Sequence, residues 1–461
     1  MHDIFTLINQ LCKEKGVKYS EVRLTDLNSM ELTFDQGRKE WIQTSHFIEL
    51  QLSIWIDEYF GHSHTTSVCE QSLNRLVENA VESLQAFKQV NDVILPDRIL
   101  GFISNKGTAH LSEGNDSEVL EKEKIHLVKK FDSAIKGVSP KIQTAFRYQD
   151  REGILYLGNS DGTLISNKIS EFFLDYSMKY EFALKKLHRS FTLAGALNHS
   201  NFTPKLAKTI GKAKALRFLN SAVVTLPPKK RMPVIMDGNL TGSIIHELIH
   251  GLDGDFALSG SPWRKKHKKR IFSKSLTIHD VPNYSDSRLI KFAHDAEGFP
   301  SKKSTVIENG VLTSFITDSN SAQRLKVTNS YNARLSLNNQ YLFPASTNLV
   351  VEPGKVSLEE MLTKIQQGVL CQGALEVSVD WQNNMIRILP EQSLLFADGN
   401  LHRDLPLSVV ITSPIEDFTT GLKYLGKKSF ISNIYCTKGG GIICGVVSPT
   451  MLFDRFQVQE R

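Results

Sequence analysis

His246, Glu247 and His250 spell HExxH within the segment NLTGSIIHELIHGLDGDF. On an α-helix, residues four apart are separated by only about 40° around the axis, so both imidazoles project from one face and can grip a single ion. Imidazole nitrogen suits zinc, and a catalytic zinc takes three protein ligands and keeps a fourth position for water. Glu247, next to the first histidine, can take a proton from that water as general base, which is chemistry for cleaving a peptide bond. The plainer alternative is a helix that happens to hold two of the chain's 14 histidines and a glutamate. Context favours the ion. Gly242, Ser243, Ile244 and Ile245 before the motif, with Leu248 and Ile249 inside it, describe an interior helix, where unpaired His and Glu are costly. Gly251 can end that helix, which places His250 in its last turn.

Spacing alone does not identify a third ligand, because it can lie far away in sequence. Asp253, Asp255, His279, His294, Cys436 and Cys444 are all open at this point. The five cysteines, Cys12, Cys69, Cys371, Cys436 and Cys444, are few, odd in number and widely spread, which argues against a disulfide framework.

The elements that must position these residues can be read coarsely. Residues 20–64 alternate β-branched or aromatic residues with polar ones, as in SMELTFDQG and FIELQLSIWID, and predict antiparallel strands. In CEQSLNRLVENAVESLQAF, Leu73, Leu76, Val77, Ala80, Val81 and Leu84 fall three to four apart, one face of a helix. Asn91 to Gly114 reads as a connection. A second unit begins with the helical SEVLEKEKIHLVKKFDSAI, continues through strand-like KIQTAFRY, GILYLGNSDGT and FFLDYSMKYEF, and returns to helix from Lys205 through AKALRFL. TLPPKKRMP, with adjacent prolines, interrupts every pattern and marks the best boundary. A third unit opens with the strand MPVIMDG and is mostly strand-like after residue 300, with one helix around VSLEEMLTKIQQG. The expected organisation is an N-terminal α/β domain over 1–114, a middle α/β region over 115–229 and a β-rich domain carrying the metal helix over 230–461.

At 461 residues, with 41% hydrophobic and 23% charged, the chain is long enough for several cores and unlike a disordered or fibrous protein. The net charge of +6 is accounted for by the run RKKHKKR, whose cations are Arg264, Lys265, Lys266, Lys268, Lys269 and Arg270. One basic loop, rather than a basic face, is expected to be a solvated segment. No helix-turn-helix, aromatic-studded RNA motif or zinc-knuckle spacing accompanies it, so nucleic acid is not expected as a partner. The first segment, MHDIFTLINQLCKEKGVKYSEVR, lacks an apolar core and cleavage site, and no later apolar run reaches the ~18 residues of a membrane helix. A cytoplasmic protein without a membrane partner is the expectation.

Beyond the motif, the chain resembles the TldD/PmbA family of zinc metallopeptidases, and specifically its metal-bearing TldD branch. The resemblance is carried by HELIHGLDGDF, by DAEGFP with STVIENGVLTSFITD, and by IYCTKGGGIICGVVSPTM. FGHSHTTSVCEQSLNRLVENAVE and YLGNSDGT also match, so it covers nearly the whole chain. It implies an α+β fold, with an N-terminal α/β portion and a β-rich, barrel-like C-terminal domain. It also implies that Cys436, shortly before Ser448, Pro449, Thr450 and Met451, completes a zinc site with His246 and His250. Cys444 is the competitor. It lies in the apolar run GIICGVV, where an inert buried thiol is expected, whereas Cys436 precedes the glycine-rich TKGGG.

One departure stands out. The metal helix of the family usually reads HExxxH, with a turn of about 140° between histidines, while this chain has only Leu248 and Ile249 between them. The departure bears on where Glu247 stands relative to the cleft. The resemblance further implies peptides or unfolded polypeptide as substrate, and a homodimer or a heterodimer with a related subunit lacking the metal motif. A non-catalytic polypeptide-binding or partner subunit on the same fold is the competing expectation. Arg334, in NSYNARLS, either anchors a substrate carboxylate or holds the fold.

Overall fold

The computed structural model describes residues 2–57, 59–88, 108–109, 119–182, 185–198, 203–220, 230–336, 342–407 and 409–460. The connection read over Asn91 to Gly114, apart from Thr108–Ala109, lies outside them, as do residues 225–229 of the boundary segment.

The architecture is α+β, an N-terminal antiparallel sheet followed by a barrel-like sheet. The first sheet is built from β1 (Tyr19–Asp35), β2 (Arg38–Ile56), β3 (Tyr59–Thr65), β4 (Gln143–Asn159), β5 (Leu164–Phe182) and β6 (Lys185–Ala196), in the order β3-β2-β1-β4-β5-β6. All of these pairs are antiparallel, and the short strand Thr108–Ala109 adds in parallel to β5. Residues two apart on a strand share a face, so Val22 and Leu24 point the same way as Leu32 and Phe34. The first pair packs with α1 (His2–Glu14) and α2 (Glu70–Lys88) through Ile8, Leu76 and Ala80. The second packs with α3 (Glu121–Lys136) and α4 (Pro204–Asn220) through Val128, Phe131 and Phe218. One continuous face thus carries all four helices.

In the C-terminal half a ring of strands closes on itself. β7 (Lys230–Met236) runs parallel to β8 (Gln367–Asp380), which continues antiparallel to β9 (Met385–Ala397), β10 (Val409–Pro414) and, beyond the next strand in sequence, β12 (Ile442–Glu460). β12 then pairs back with β7, Met451 opposite Met236, so none of these strands is left as an edge of an open sheet. β11 (Leu422–Cys436) lies along the outer part of β12. Met232, Val234, Ile386, Ile388, Ile411, Phe453 and Phe456 belong to one buried cluster in this half. No helix is long and apolar enough to cross a membrane among the described residues.

The helix α5 (Gly238–Ile249) follows β7 directly and packs against β8, β11 and β12. Asp237 starts it by accepting from the Leu240 amide (2.9 Å), and the same carboxylate accepts from the Gly373 amide on β8 (3.0 Å). Two glycines let the helix lie close to the barrel. A Cβ on Gly238 would stand 2.2 Å from the Ser448 carbonyl oxygen, and one on Gly242 would stand 3.0 Å from Val446 Cγ1. Between them, Thr241 Oγ1 bonds Ser448 Oγ and the Pro449 carbonyl, both at 2.9 Å. The segment Ser448–Pro449 is therefore a seat for this helix.

Candidate metal centre

With one face of α5 fixed on the barrel, its other residues are assigned by rotation. Asn239, Ser243 and Glu247, four apart, form a stripe that lines a cleft of about 1260 Å³. The opposite walls of the cleft come from β5, β6 and α4, with Tyr176, Phe191 and Leu193 among the apolar contributors and Tyr435 of β11 nearby. Burial raises the Glu247 carboxyl above its usual range, against the opposing pull of His250.

His246 is 1% exposed, and neither Nδ1 nor Nε2 has a hydrogen-bond partner. A buried imidazole with both nitrogens unsatisfied is costly, and burial drives its pKa down to about 3, so the ring is neutral. His250 is the residue at which α5 ends, and a short 3₁₀ turn, His250–Leu252, follows. Its ring stands edge-on to His246, centroids 4.7 Å apart. Nδ1 donates to Asp253 Oδ2 at 2.7 Å, and Nε2 is 3.3 Å from Cys436 Sγ. Burial disfavours charge on His250, but Asp253 and Cys436 outweigh it and hold the ring well above its ordinary value.

Cys436, the last residue of β11, is buried at 5% exposure. Ligand atoms of His246, His250 and Cys436 all lie within 4.8 Å of one another, and this is the one group of three or more His, Cys, Asp or Glu side chains that could hold a metal among the described residues. The fit can be tested on the donor set itself. Two imidazoles and a cysteine sulfur form a zinc-type set once His250 gives up its proton, and the 3.3 Å between His250 Nε2 and Cys436 Sγ places both donors close enough to share one ion. Such an ion would supply the missing partner for one of the unsatisfied His246 nitrogens. The donor set fits.

The other candidates are placed elsewhere. Asp253 is one bond out, behind His250. Asp255 bonds Lys438 Nζ at 2.9 Å. His279 sits on the strand Ile278–Asp280 between Thr305 (3.1 Å) and Glu352 (2.8 Å). His294 lines a separate cavity of about 90 Å³ with Asp295 and Arg334. Burial pushes the Cys444 thiol up to about 12, and its sulfur contacts the Ser346 carbonyl at 3.4 Å, as an inert thiol should. Arg334 is buried and donates to the carbonyls of Ser346 (2.8 Å) and Ile443 (3.1 Å), so both bonds hold the fold.

The basic run contributes no residue to the lining of the cleft. It opens with a short 3₁₀ turn, Arg264–Lys266, and is tied to the Ser304–Leu312 hairpin region through the Lys268 amide to Leu312 O (2.8 Å), His267 to Thr313 O (3.1 Å) and Arg270 to Asn309 O. Trp263 and Trp381, edge to face at 5.0 Å, fill the space beside Gly251. Sequence reasoning missed Lys438 altogether. It follows Cys436 by two residues and bonds Asp253 Oδ2 (2.8 Å), Asp255 Oδ1 (2.9 Å) and the Pro344 carbonyl (2.6 Å). Nothing in TKGGG signals those partners, which come from distant segments.

Comparison with known proteins places the chain by family and fold. The family model for the PmbA/TldA metallopeptidase C-terminal domain matches residues 229–460. A metalloprotease of Methanothermobacter thermautotrophicus is 25% identical over 430 residues, which cover 90% of this chain and 91% of that protein. A zinc metalloprotease TldD homolog of Saccharolobus solfataricus is 24% identical over 366 residues, 77% of each chain. Among solved structures, TldE from Thermococcus kodakarensis superimposes with a TM-score of 0.74 at 15% identity, covering 98% of this chain and all of that one (100%), which is a likeness of fold.

Proposed function

Because the chain belongs to the TldD/PmbA metallopeptidase family, we propose that it is a zinc-dependent peptide hydrolase of the metal-bearing TldD branch, with His246, His250 and Cys436 as ligands and Glu247 as general base. The observation that carries this reading is the buried His246 ring with two unsatisfied nitrogens, set beside His250 and Cys436. When bound, zinc supplies Lewis acidity that lowers the pKa of water and polarises a scissile carbonyl. The chain's own residues do the rest. Glu247 stands on the cleft stripe of α5 and receives a proton. Burial raises its affinity for that proton and suits it to pass the proton on to a leaving amine. The four-residue spacing of the histidines keeps both on one helix face without a bulge, while Glu247 stays on the cleft side.

The cleft, with long apolar walls from both halves of the chain, suits an extended peptide or unfolded segment better than a small molecule. The proposed working form is a homodimer or a heterodimer with a related subunit, and the proposed metal-bearing unit is 230–461. Zinc content and hydrolysis of an unstructured peptide, measured on one preparation alone and with any co-purifying subunit, test the reading. About one zinc per chain, with turnover lost to a chelator and restored by zinc, is expected. A chain that neither takes up metal nor cleaves peptide in either form would leave the non-catalytic partner subunit instead.

The basic run contributes no residue to the cleft lining, so neutralising Lys265, Lys266, Lys268 and Lys269 is expected to leave turnover of a short neutral peptide unchanged. Any slower capture of acidic polypeptide is expected only at low salt, where charge steering is strongest. Equal loss on both substrates would assign the run a structural role.

A further inference from the structure

The two segments that bring His250 and Cys436 together are 186 residues apart in sequence, and one side chain spans them. Lys438 leaves the turn Lys438–Gly440 after Cys436, and its ammonium reaches two carboxylates on the histidine segment, Asp253 and Asp255, and a carbonyl from a third segment, Pro344. Three acceptors use all three ammonium donors. The turn itself is fixed, because Gly439 has φ 64° and packs so closely on the Phe343 ring that a Cβ there would lie 2.1 Å from it. The Asp253 oxygen that accepts from Lys438 is the one that accepts from His250 Nδ1, and Asp253 is only 1% exposed.

From this chain of contacts we infer that Lys438 is a positioning residue for the metal ligands. It locks Asp253 where that carboxylate orients the His250 ring, and it ties the turn after Cys436 to the turn after His250. The inference rests on the proposed ligand set. Carboxylates that hold a ligating imidazole by its other nitrogen set its tautomer and direction, and disturbing them typically costs about 10–100-fold in metal affinity. Lys438 acts one contact further out, through Asp253.

The test compares wild type, Lys438→Met, Lys438→Arg, Asp253→Asn and the double variant Asp253→Asn/Lys438→Met. Zinc affinity is read by competition with a chromophoric chelator, the ligand field by the absorption spectrum of the cobalt(II) form, and the fold by thermal unfolding of the metal-free protein. Lys438→Met is expected to weaken zinc binding roughly 10–100-fold and to shift the cobalt bands. Lys438→Arg, which keeps the charge but replaces a compact ammonium with a larger planar fork, should recover part of the affinity. The double variant should bind no more weakly than Asp253→Asn, since both changes act on one link. Wild-type affinity and an unchanged cobalt spectrum in Lys438→Met would overturn the inference while leaving the proposed function standing. Additive losses, with lowered metal-free stability accounting for both, would overturn it too. If Lys438→Met does not fold, Asp253→Asn decides: wild-type zinc affinity there removes the link through which Lys438 acts. A wild-type chain that takes up no metal would sink the proposed function itself, and this inference with it.

Discussion

Glu247→Gln is expected to keep the zinc and the fold and to lose peptide turnover by roughly 10²–10⁴-fold, the usual worth of general-base assistance. The substitution is close to isosteric, so the cleft stripe of Asn239, Ser243 and position 247 keeps its shape. Glu247 is not among the three side chains whose ligand atoms converge, so metal content should not follow the change. Glutamine can accept a hydrogen bond but cannot hold the abstracted proton, and that separates chemistry from binding. A structural metal site predicts no change in any rate, and a partner subunit has no rate to lose. Turnover and bound zinc measured on the same two preparations decide between these, and activity surviving intact in Glu247→Gln would sink the mechanism even with zinc present.

His246→Ala, His250→Ala and Cys436→Ala should each lose most of the metal, because each leaves two protein ligands where a catalytic site needs three. The loss should also appear as stability. An ion that binds only the folded chain stabilises it by mass action, about 4.1 kcal/mol at a thousandfold excess over Kd, so zinc should raise the unfolding midpoint of wild type but not of these variants. Cys444→Ala is the contrast. Its thiol is buried, held up at about 12 and turned to the Ser346 carbonyl, so both zinc and the zinc-dependent stabilisation should remain. Metal lost from Cys444→Ala and kept in Cys436→Ala would reverse the assignment of the two cysteines.

Local signals in the sequence found local structure. The periodicity of Leu73, Leu76, Val77, Ala80 and Leu84 is the buried face of α2, and MPVIMDG is β7 with the cap of the metal helix. Gly251 marked the end of that helix to within a residue or two. KIQTAFRY and GILYLGNSDGT, by contrast, are one strand. Gly153, which opens the second segment, permits a close approach within β4, where a Cβ would stand 2.0 Å from the Asp26 carbonyl oxygen of β1. The N-terminal helix α1 buries only Phe5, Ile8 and Cys12, a short face that absence of a targeting signal does not reveal. The motif pointed to two converging imidazoles, but Asp253 remained one ligand candidate among six. Only the fold shows that Asp253 bonds His250 Nδ1 while Cys436 stands on the Nε2 side. Lys438 and the closure of β7 on β12 depend on contacts between remote segments, which no window of sequence contains.

That closure has a consequence for the order of events during synthesis. β7 and the histidine helix leave the ribosome first, while Cys436 follows His250 by 186 residues and the strand that shuts the ring, Ile442–Glu460, comes later still. At ~5–20 residues per second, translation leaves the two histidines without Cys436 for on the order of ten seconds or more. Because the proposed metal centre joins the helix after β7 to the end of β11, it cannot be assembled on the nascent chain until nearly the whole of this half has emerged.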